Sequence, residues 1–206
     1  MSHFQRISTY SLLFTLLTTI MSFTLNIGNN DNGAPAKNAV SQTVSLVIKG
    51  TSTLHDWEMK SDKGRVEVLL GLGSDARLMG LSALKFSLEA ESLKSEKTMM
   101  DNNAYKALKT NSAKQISFVL TNASITQLSA TSYRVKAIGK LTVAGTTRET
   151  DVIAEIAYSN TEKMYIVTGT KKLKMTDYNV KPPSFMLGTV KTGDEITISF
   201  KTKLAS

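Results

Sequence analysis

The sequence predicts an all-β domain: a barrel or sandwich of about eight antiparallel strands, with one amphipathic helix between two of them. Apolar and polar residues alternate in segment after segment along residues 43–204, which is the period of a strand with one buried face. Short stretches rich in Gly, Asn, Asp and Ser separate several segments, and these residues favour turns between antiparallel strands. Many strands that each have one apolar face close into a barrel or stack as a sandwich.

The predicted strands follow one another without an intervening linker or an internal repeat. They cover residues 43–49, 52–60, 64–70, 84–91, 115–121, 135–143, 149–158, 163–175 and 196–204. Turns are predicted at residues 61–64, 144–147, 159–163 and 191–194. Each of these turns contains a Gly or Asn, which adopts the positive φ that tight turns need. Residues 39–206 are therefore predicted to form a single domain.

One segment, residues 98–109, departs from the strand period. Its apolar residues recur at helical spacing, and they are Met100, Ala104, Ala107 and Leu108. An amphipathic helix is therefore predicted here, with Thr98 as its N-cap and Asp101 three residues further on. The apolar stripe is compatible with two arrangements, in which the helix either covers one end of a barrel or packs on the outside of the sheet.

The first 38 residues are predicted to lie outside the domain. Arg6 precedes an apolar run at residues 10–25, which is typical of a secretory signal peptide. The run is short and rich in Ser and Thr for a membrane span, although an uncleaved anchor remains open. Residues 1–38 are thus interpreted as a signal peptide and polar leader, and the protein is expected in the periplasm or outside the cell.

Composition excludes several classes of function. The chain has no cysteine, which rules out disulfides, thiolate metal sites and a catalytic thiol. It has two histidines, one of which, His3, lies in the predicted signal peptide, so no metal site is expected. The net charge of +8 leaves transient contact with an anionic membrane surface open. The basic clusters at 171–174 and 201–203 lack the aromatic motifs of nucleic-acid-binding domains, so no nucleic acid is expected.

The stretch GTSTLHDWEMKS contains Ser52, His55 and Asp56, the residue types of a hydrolase triad. Alternation along a strand places His55 and Trp57 on one face and Ser52 and Asp56 on the other, so these groups cannot form a local catalytic pair. The face that also carries Met59 is predicted to point inward, with His55 partly buried. His55 then either hydrogen-bonds within the core or orients the polar end of a ligand.

Four stretches carry a family likeness, in the order GTSTLHDWEMKSDKGRVEV, LKFSLEAESLKSEKTMMDNNAYKALKTNSAKQISFVLT, GKLTVAGTTRETDV and TGTKKLKMTDYNVKPPSFMLGTVKTGDEITISFK. The third contains the pattern G-x-L-T-x-x-G-x-T. Together they resemble the YceI-like family of secreted, lipocalin-like proteins regarded as polyisoprenoid binders. The resemblance implies an eight-stranded antiparallel lipocalin-like barrel, with the helix near one end and a long apolar cavity inside. It implies no catalytic residues.

The resemblance leads us to expect a secreted, non-enzymatic protein that holds an isoprenoid chain, such as a polyprenyl lipid or a quinone, inside the barrel. The residues expected to contact it are His55, Trp57, Met59, Phe86, Leu88, Met99, Met100, Phe118, Leu120, Leu141, Ile198 and Phe200. No other cofactor is expected. The alternatives are a structural or interaction barrel filled by its own side chains, and an enzyme of unknown type that uses His55. A homodimer remains open.

Overall fold

The computed structural model of the protein describes residues 36–73 and 77–205, with side chains from residue 42 onward apart from those at 185 and 186. These residues form eight long strands, one two-residue strand and one α-helix. The strands are β1 (Ala36–Ser52), β2 (Trp57–Leu72), β3 (Leu78–Glu89), β4 (Gln115–Gln127), β5 (Ser132–Val143), β6 (Thr146–Ser159), β7 (Met164–Lys174), β8 (Ser184–Phe185) and β9 (Val190–Ala205). The helix α1 (Thr98–Leu108) lies between β3 and β4.

The eight long strands close into an antiparallel barrel. Strands β1 to β7 pair in chain order, β7 pairs with β9, and the pairing of β9 with β1 completes the ring. The connections therefore alternate between two ends. The end that we call the helix end carries the β1–β2 loop, α1, the β5–β6 turn and the segment 175–189. The far end carries the other three connections, and the predicted eight-stranded barrel is confirmed.

Alternation along each long strand decides which side chains face the barrel interior. In β2, Val66, Val68 and Leu70 are buried, whereas Arg65 and Glu67 between them are exposed. Burial of one such aliphatic side chain stabilises the fold by about 1.5–3 kcal/mol. The same period continues around the ring, so the apolar faces of all eight strands meet inside.

The predicted turn at 61–64 is wrong, because β2 runs through it. Val44 and Leu46 of β1 pair with Gly64 and Ser61 of β2, so the longer β2 path forms a bulge. Gly64 points into the barrel, where an added Cβ would lie 2.8 Å from the Val44 backbone oxygen. Gly64 therefore permits the close approach of β1 and β2. In the sequence alone, a glycine with this role looks the same as a glycine that marks a turn.

The predicted turn at 191–194 is also wrong, since these residues belong to β9. The register between β1 and β9 shifts at this point, so four residues of β9 are matched by two of β1. Gly193 lies against the Thr51 side chain, which an added Cβ would overlap. The predicted turns near 144–147 and 159–163 are confirmed as the β5–β6 and β6–β7 connections.

The N-terminal boundary of the domain differs from the predicted one. β1 begins at Ala36, which pairs with Gly71 of β2, so residues 36–38 belong to a strand and not to the leader. Residues 1–35 of the predicted signal peptide and polar leader, which spans 1–38, lie outside the described residues. Within the part of the chain that is described, no helix has the length and apolarity needed to cross a membrane.

The predicted helix is confirmed, and it covers one end of the barrel. Ala104, Ala107 and Leu108 of α1 line the barrel interior, which selects the first of the two arrangements. The predicted cap is wrong, because the cap position is Lys97 and no side chain caps it. Asp101 is buried and accepts hydrogen bonds from the amide and hydroxyl of Ser95, at 2.8 and 2.7 Å. It thus holds the loop that leads into α1.

A glycine on the inner face of β5 offers a test of this packing. Gly139→Ala is expected to lower the free energy of unfolding by about 1–3 kcal/mol, because the new methyl would overlap the Phe118 ring and the Val119 backbone oxygen. The matched control is Gly80→Ala in β3, where nothing lies within 4 Å of the added Cβ. This control should leave stability unchanged or raise it by up to about 1 kcal/mol. Urea denaturation measures both, and equal midpoints would contradict the expectation.

Candidate functional site

The barrel encloses an elongated cavity of about 610 Å³, a volume within the range of about 300–1,000 Å³ typical of ligand pockets. Its wall takes side chains from α1 and from all eight long strands, and nearly all of them are apolar. On β9 every second residue from Ile196 to Leu204 belongs to the wall. At about 3.3 Å per residue, this stretch is roughly 26 Å of strand. The shape therefore suits an extended apolar chain.

Aromatic rings lie flat on this wall because glycines on neighbouring strands leave room for them. An added Cβ on the glycine would overlap or crowd the ring in each pair, and the pairs are Gly50–Trp57, Gly64–Phe86, Gly139–Phe118 and Gly169–Phe200. A ring that lies over a glycine covers its backbone and does not project across the barrel. The cavity thus stays open even though four large aromatic side chains face it.

The far end of the barrel is closed by buried side chains. Leu72, Leu78, Tyr133 and Tyr165 are buried there and do not belong to the cavity wall. The Leu78 amide donates a hydrogen bond to the Tyr133 hydroxyl at 3.4 Å. Tyr165 packs edge-to-face against Tyr158, with 5.1 Å between ring centroids. Among the described residues, the wall therefore reaches solvent at the helix end.

The mouth at the helix end lies between the β1–β2 loop, the first turn of α1 and the chain on either side of β8. Its wall residues from these three elements are Leu54, His55, Lys97, Met99, Met100, Asn103, Pro183 and Val190. Most polar and charged groups of the wall lie at this end, whereas the interior beyond it is apolar except for Lys171 and Thr202. A molecule with a polar head and an apolar tail would match this distribution.

The predicted strand at 52–60 is interrupted by the β1–β2 loop. The Ser52 hydroxyl accepts hydrogen bonds from the amides of Leu54 and His55, both at 3.2 Å, and donates to the His55 carbonyl oxygen at 2.7 Å. This turn leaves His55 exposed at the mouth, so the prediction of a partly buried His55 is wrong. The His55 Nδ1 lies 2.7 Å from the Asp56 carbonyl oxygen. These contacts are those of a loop and do not join the Ser52 hydroxyl to the imidazole, as a nucleophile and its base would require.

Trp57 lies just inside the mouth, where β2 begins. Its indole Nε1 donates a hydrogen bond to the Thr51 carbonyl oxygen at 3.0 Å, and its ring covers Gly50. The ring is half-buried and belongs to the cavity wall. Both contacts hold the indole against β1. One edge of the ring therefore faces any molecule that enters the cavity.

All but one of the predicted contact residues lie on the cavity wall. Those on the wall are His55, Trp57, Met59, Phe86, Leu88, Met99, Met100, Phe118, Leu141, Ile198 and Phe200. Leu120 is the exception, since it packs against a cluster that includes Phe118 and Ala137 without reaching the wall. The β4 register shifts immediately after Leu120. Ligand contact by the wall residues stays a prediction.

The segment 175–180, which follows β7, contributes three wall residues, and alternation along the predicted strand at 163–175 indicated only the first of them, Met175. Met175, Tyr178 and Val180 are all buried there, and the segment begins with a 3-10 turn, Met175–Tyr178. They cover a gap in the barrel, because pairing between β6 and β7 ends at Ile153 and Thr170. One 3-10 turn has no periodicity, so the sequence carried no signal for Tyr178 and Val180. Val44, Leu46 and Ile48 also line the wall, and the alternation at 43–49 could have identified them.

Hydrogen bonds fasten the segment 175–180 over this gap. The Asp194 carboxylate accepts from the Thr176 amide at 2.9 Å and from the Thr176 hydroxyl at 2.6 Å. The Arg148 guanidinium donates to the Asp177 carbonyl oxygen at 3.0 Å. The bonds from Thr176 stabilise the charged carboxylate and so lower the pKa of Asp194. Burial raises the pKa of Tyr178 in the same segment.

Lys171 is a charged residue on the inner face of β7, opposite Ile198. Its side chain is 22% exposed, and its Nζ lies 2.8 Å from an Asp151 carboxylate oxygen of β6. The ion pair spans the gap between these strands, and the hydrogen bond from Lys171 lowers the pKa of Asp151. The aliphatic stem of Lys171 therefore lines the cavity while its charge is held at the gap. No group of three or more His, Asp or Glu residues that could hold a metal is found within the described ranges.

Comparisons with known proteins agree with this architecture. The family model described as YceI-like domain matches residues 39–204. Burkholderia cenocepacia BcnA superposes with a TM-score of 0.58 at 19% identity, over 80% of this chain and 96% of that chain. A polyisoprenoid binding domain from Saccharophagus degradans, implicated in plant cell wall breakdown, gives 0.58 at 8% identity, over 84% and 99%. The Campylobacter jejuni YceI protein gives 0.50 at 17% identity, over 68% and 82%. No curated protein matches the chain.

Because the Asp194 carboxylate holds the segment 175–180 through hydrogen bonds, we expect the free energy of unfolding to decrease as the pH falls. Asp194→Asn is expected to lower the free energy of unfolding by about 1 kcal/mol at neutral pH, because the charged acceptor of two hydrogen bonds is lost. The pKa of Asp194 is lowered in the folded protein, so the unfolded chain takes up this proton first as the pH falls. The carboxylate therefore stabilises the fold fully above the unfolded pKa of about 4 and loses this effect as the pH falls through the folded pKa.

Urea unfolding of the wild type and of Asp194→Asn at neutral and at acidic pH measures this effect. The control is Asp62→Asn in the β2 bulge, an exposed carboxylate whose replacement should change stability by less than about 0.5 kcal/mol. A difference between Asp194→Asn and wild type that keeps the same size at both pH values would contradict the assignment.

Proposed function

The chain belongs to the YceI-like domain family, and from this premise we propose that it sequesters an isoprenoid chain, of a polyprenyl lipid or a quinone, without catalysing a reaction. The observation that carries the proposal is the elongated apolar cavity of about 610 Å³, with most of its polar groups at one mouth. A barrel filled by its own side chains, the second candidate, would leave no such space.

The physical basis of binding would be removal of the apolar tail from water. Each buried CH₂ contributes about 0.8 kcal/mol, so ten of them contribute about 8 kcal/mol before the cost of ordering the ligand. Strong polar contacts are therefore not required for useful affinity. The tail would enter through the mouth and extend toward the tyrosines of the far end, with the head group left beside His55 and Lys97.

Two further observations support the proposal. The Saccharophagus degradans domain with the same fold is described as polyisoprenoid binding, which favours the same ligand class here. The apolar run at residues 10–25 is typical of a signal peptide, and it is the reason that a secreted or periplasmic location is part of the proposal. The hydrogen bonds of Ser52 and His55 with the loop backbone support a binding role over hydrolysis.

The direct test is organic-solvent extraction of the purified mature protein, followed by mass spectrometry of the extract. We expect a molecule with a long isoprenoid tail, at up to one per chain. Protein emptied by extraction and refolded should take up a long-chain quinone or polyprenol. An empty extract together with no uptake of either compound would refute the proposed function.

A variant that narrows the cavity should block uptake. Ala137 is buried on the cavity wall, so Ala137→Phe places a ring in the space that the tail needs and should weaken uptake at least about tenfold. The control is Ala157→Phe, which changes an exposed residue on the outer face of β6 and should bind as the wild type does. Quinone titration measures both variants, with circular dichroism to verify the fold. Equal affinities in the two variants would show that the tail does not occupy this cavity.

A further inference from the structure

We propose that the helix end of the barrel docks onto the headgroup layer of an anionic phospholipid bilayer. The docking surface, which we call the rim, consists of Leu54, Met99, Leu187, Lys97, Lys181 and Lys191. This proposal rests on the proposed function, since a cargo dissolved in a bilayer enters the cavity without crossing water only if the mouth faces that bilayer.

The apolar residues of the rim are unusually exposed. Leu187 is 109% exposed, Met99 is 77% exposed and Leu54 is 69% exposed. These are the three most exposed large apolar side chains among the described residues, and all three lie at the helix end. Most exposed apolar residues on a protein surface are scattered singly. Their concentration at one end, around the opening of an apolar cavity, indicates a surface that is covered in use.

Hydrogen bonds connect the two loops that carry Leu54 and Leu187 at the same opening. The Thr53 amide donates to the Lys191 carbonyl oxygen at 3.0 Å, and the Lys191 amide donates to the Thr53 hydroxyl at 3.1 Å. The loop that carries Leu54 is thereby tied to the hairpin of β8 and β9, whose tip carries Leu187. Leu54 and Met99 both belong to the cavity wall as well as to the surface.

The backbone at Leu187 is a second, independent sign of function. Its φ of 56° and ψ of 30° lie in the left-handed region, which leucine rarely adopts because its Cβ crowds the backbone. At this position the chain carries both a strained backbone and an apolar side chain in water. Neither feature stabilises the isolated barrel, whereas a leucine at the tip of a projecting hairpin can insert among lipid headgroups.

The charges of the rim favour an anionic partner. Lys97, Lys181 and Lys191 are exposed, and none of them makes an ion pair with a described residue. The exposed carboxylates of Asp56 and Glu96 lie on the same loops and offset part of this charge. The net charge of +8 on the whole chain adds a longer-range attraction. Lysines beside exposed apolar side chains are characteristic of surfaces that bind anionic membranes.

The test is co-sedimentation of the full mature protein, emptied of cargo, with phospholipid vesicles. We expect binding to vesicles of phosphatidylcholine mixed with phosphatidylglycerol, weaker binding to phosphatidylcholine alone, and a decrease with added salt. Leu187→Asn should weaken binding to the mixed vesicles about tenfold. Asparagine tolerates the left-handed backbone, so this variant should fold. The matched control is Leu128→Asn, an exposed leucine at the far end, which should bind as the wild type does.

The charge contribution is tested in the same assay. Changing Lys97, Lys181 and Lys191 to Gln should weaken binding roughly fivefold for each lysine and reduce its salt dependence. The control changes three exposed lysines of the outer wall, Lys85, Lys136 and Lys201, and it should have a smaller effect.

The proposal is overturned if the wild type does not bind the mixed vesicles, or if Leu187→Asn and Leu128→Asn weaken binding equally. It is also overturned if Leu187→Asn abolishes a dimer in solution without changing vesicle binding, because the rim would then contact a second copy of the chain. Solvent extraction and the uptake assay separate the two proposals, since the proposed function fails when no cargo is found and none is taken up, whatever the vesicles show. If the protein carries cargo but does not bind vesicles, the proposed function stands and only the proposed docking surface is refuted.

Discussion

Pairing between β1 and β9 closes the sheet, and the cavity, its mouth and its sealed end all depend on that closure. In a closed ring every long strand has two neighbours along much of its length, so alternation sends one face of each strand to a common interior. An eight-stranded ring is just wide enough for its side chains or for one slender ligand. In this chain the interior is not filled by its own side chains, because Phe86, Phe118 and Phe200 lie flat over glycines of adjacent strands.

The two ends of the ring serve different purposes because their connections differ. At the far end Tyr133 and Tyr165 are buried and seal the interior. At the helix end two of the connections are long. One contains α1, and the other begins with the segment 175–180, which extends the wall where β6 and β7 part. Because only one end is open, an amphiphile that enters the cavity would do so with its apolar tail first and leave its polar head at the mouth. The exposed apolar residues and lysines of the rim lie where such a molecule would arrive.

The same fold persists in proteins with very different sequences. The Saccharophagus degradans domain shares 8% identity with this chain yet superposes with a TM-score of 0.58. An apolar interior requires mostly apolar residues at alternate positions of each strand and leaves the choice among aliphatic and aromatic residues open. Features that depend on particular residues, such as Leu187 in a left-handed conformation or the bonds between Asp194 and Thr176, need not be shared by the fold as a whole.

The sequence by itself determined the strands, the helix and most of the cavity wall, because periods of two and of 3.6 residues are recorded locally in the chain. Phe118, Leu141 and Phe200 followed from alternation alone. Only the tertiary structure decided that 61–64 and 191–194 are bulges within strands, since a bulge depends on the register of the partner strand. It also decided that His55 is exposed, through a turn made by the Ser52 hydroxyl, and that Tyr178 covers a gap between β6 and β7. The bulges and the position of Tyr178 depend on contacts between residues far apart in the chain, which no local pattern records. The turn at Ser52 is a local hydrogen bond, and an alternating pattern of apolar and polar residues does not reveal it.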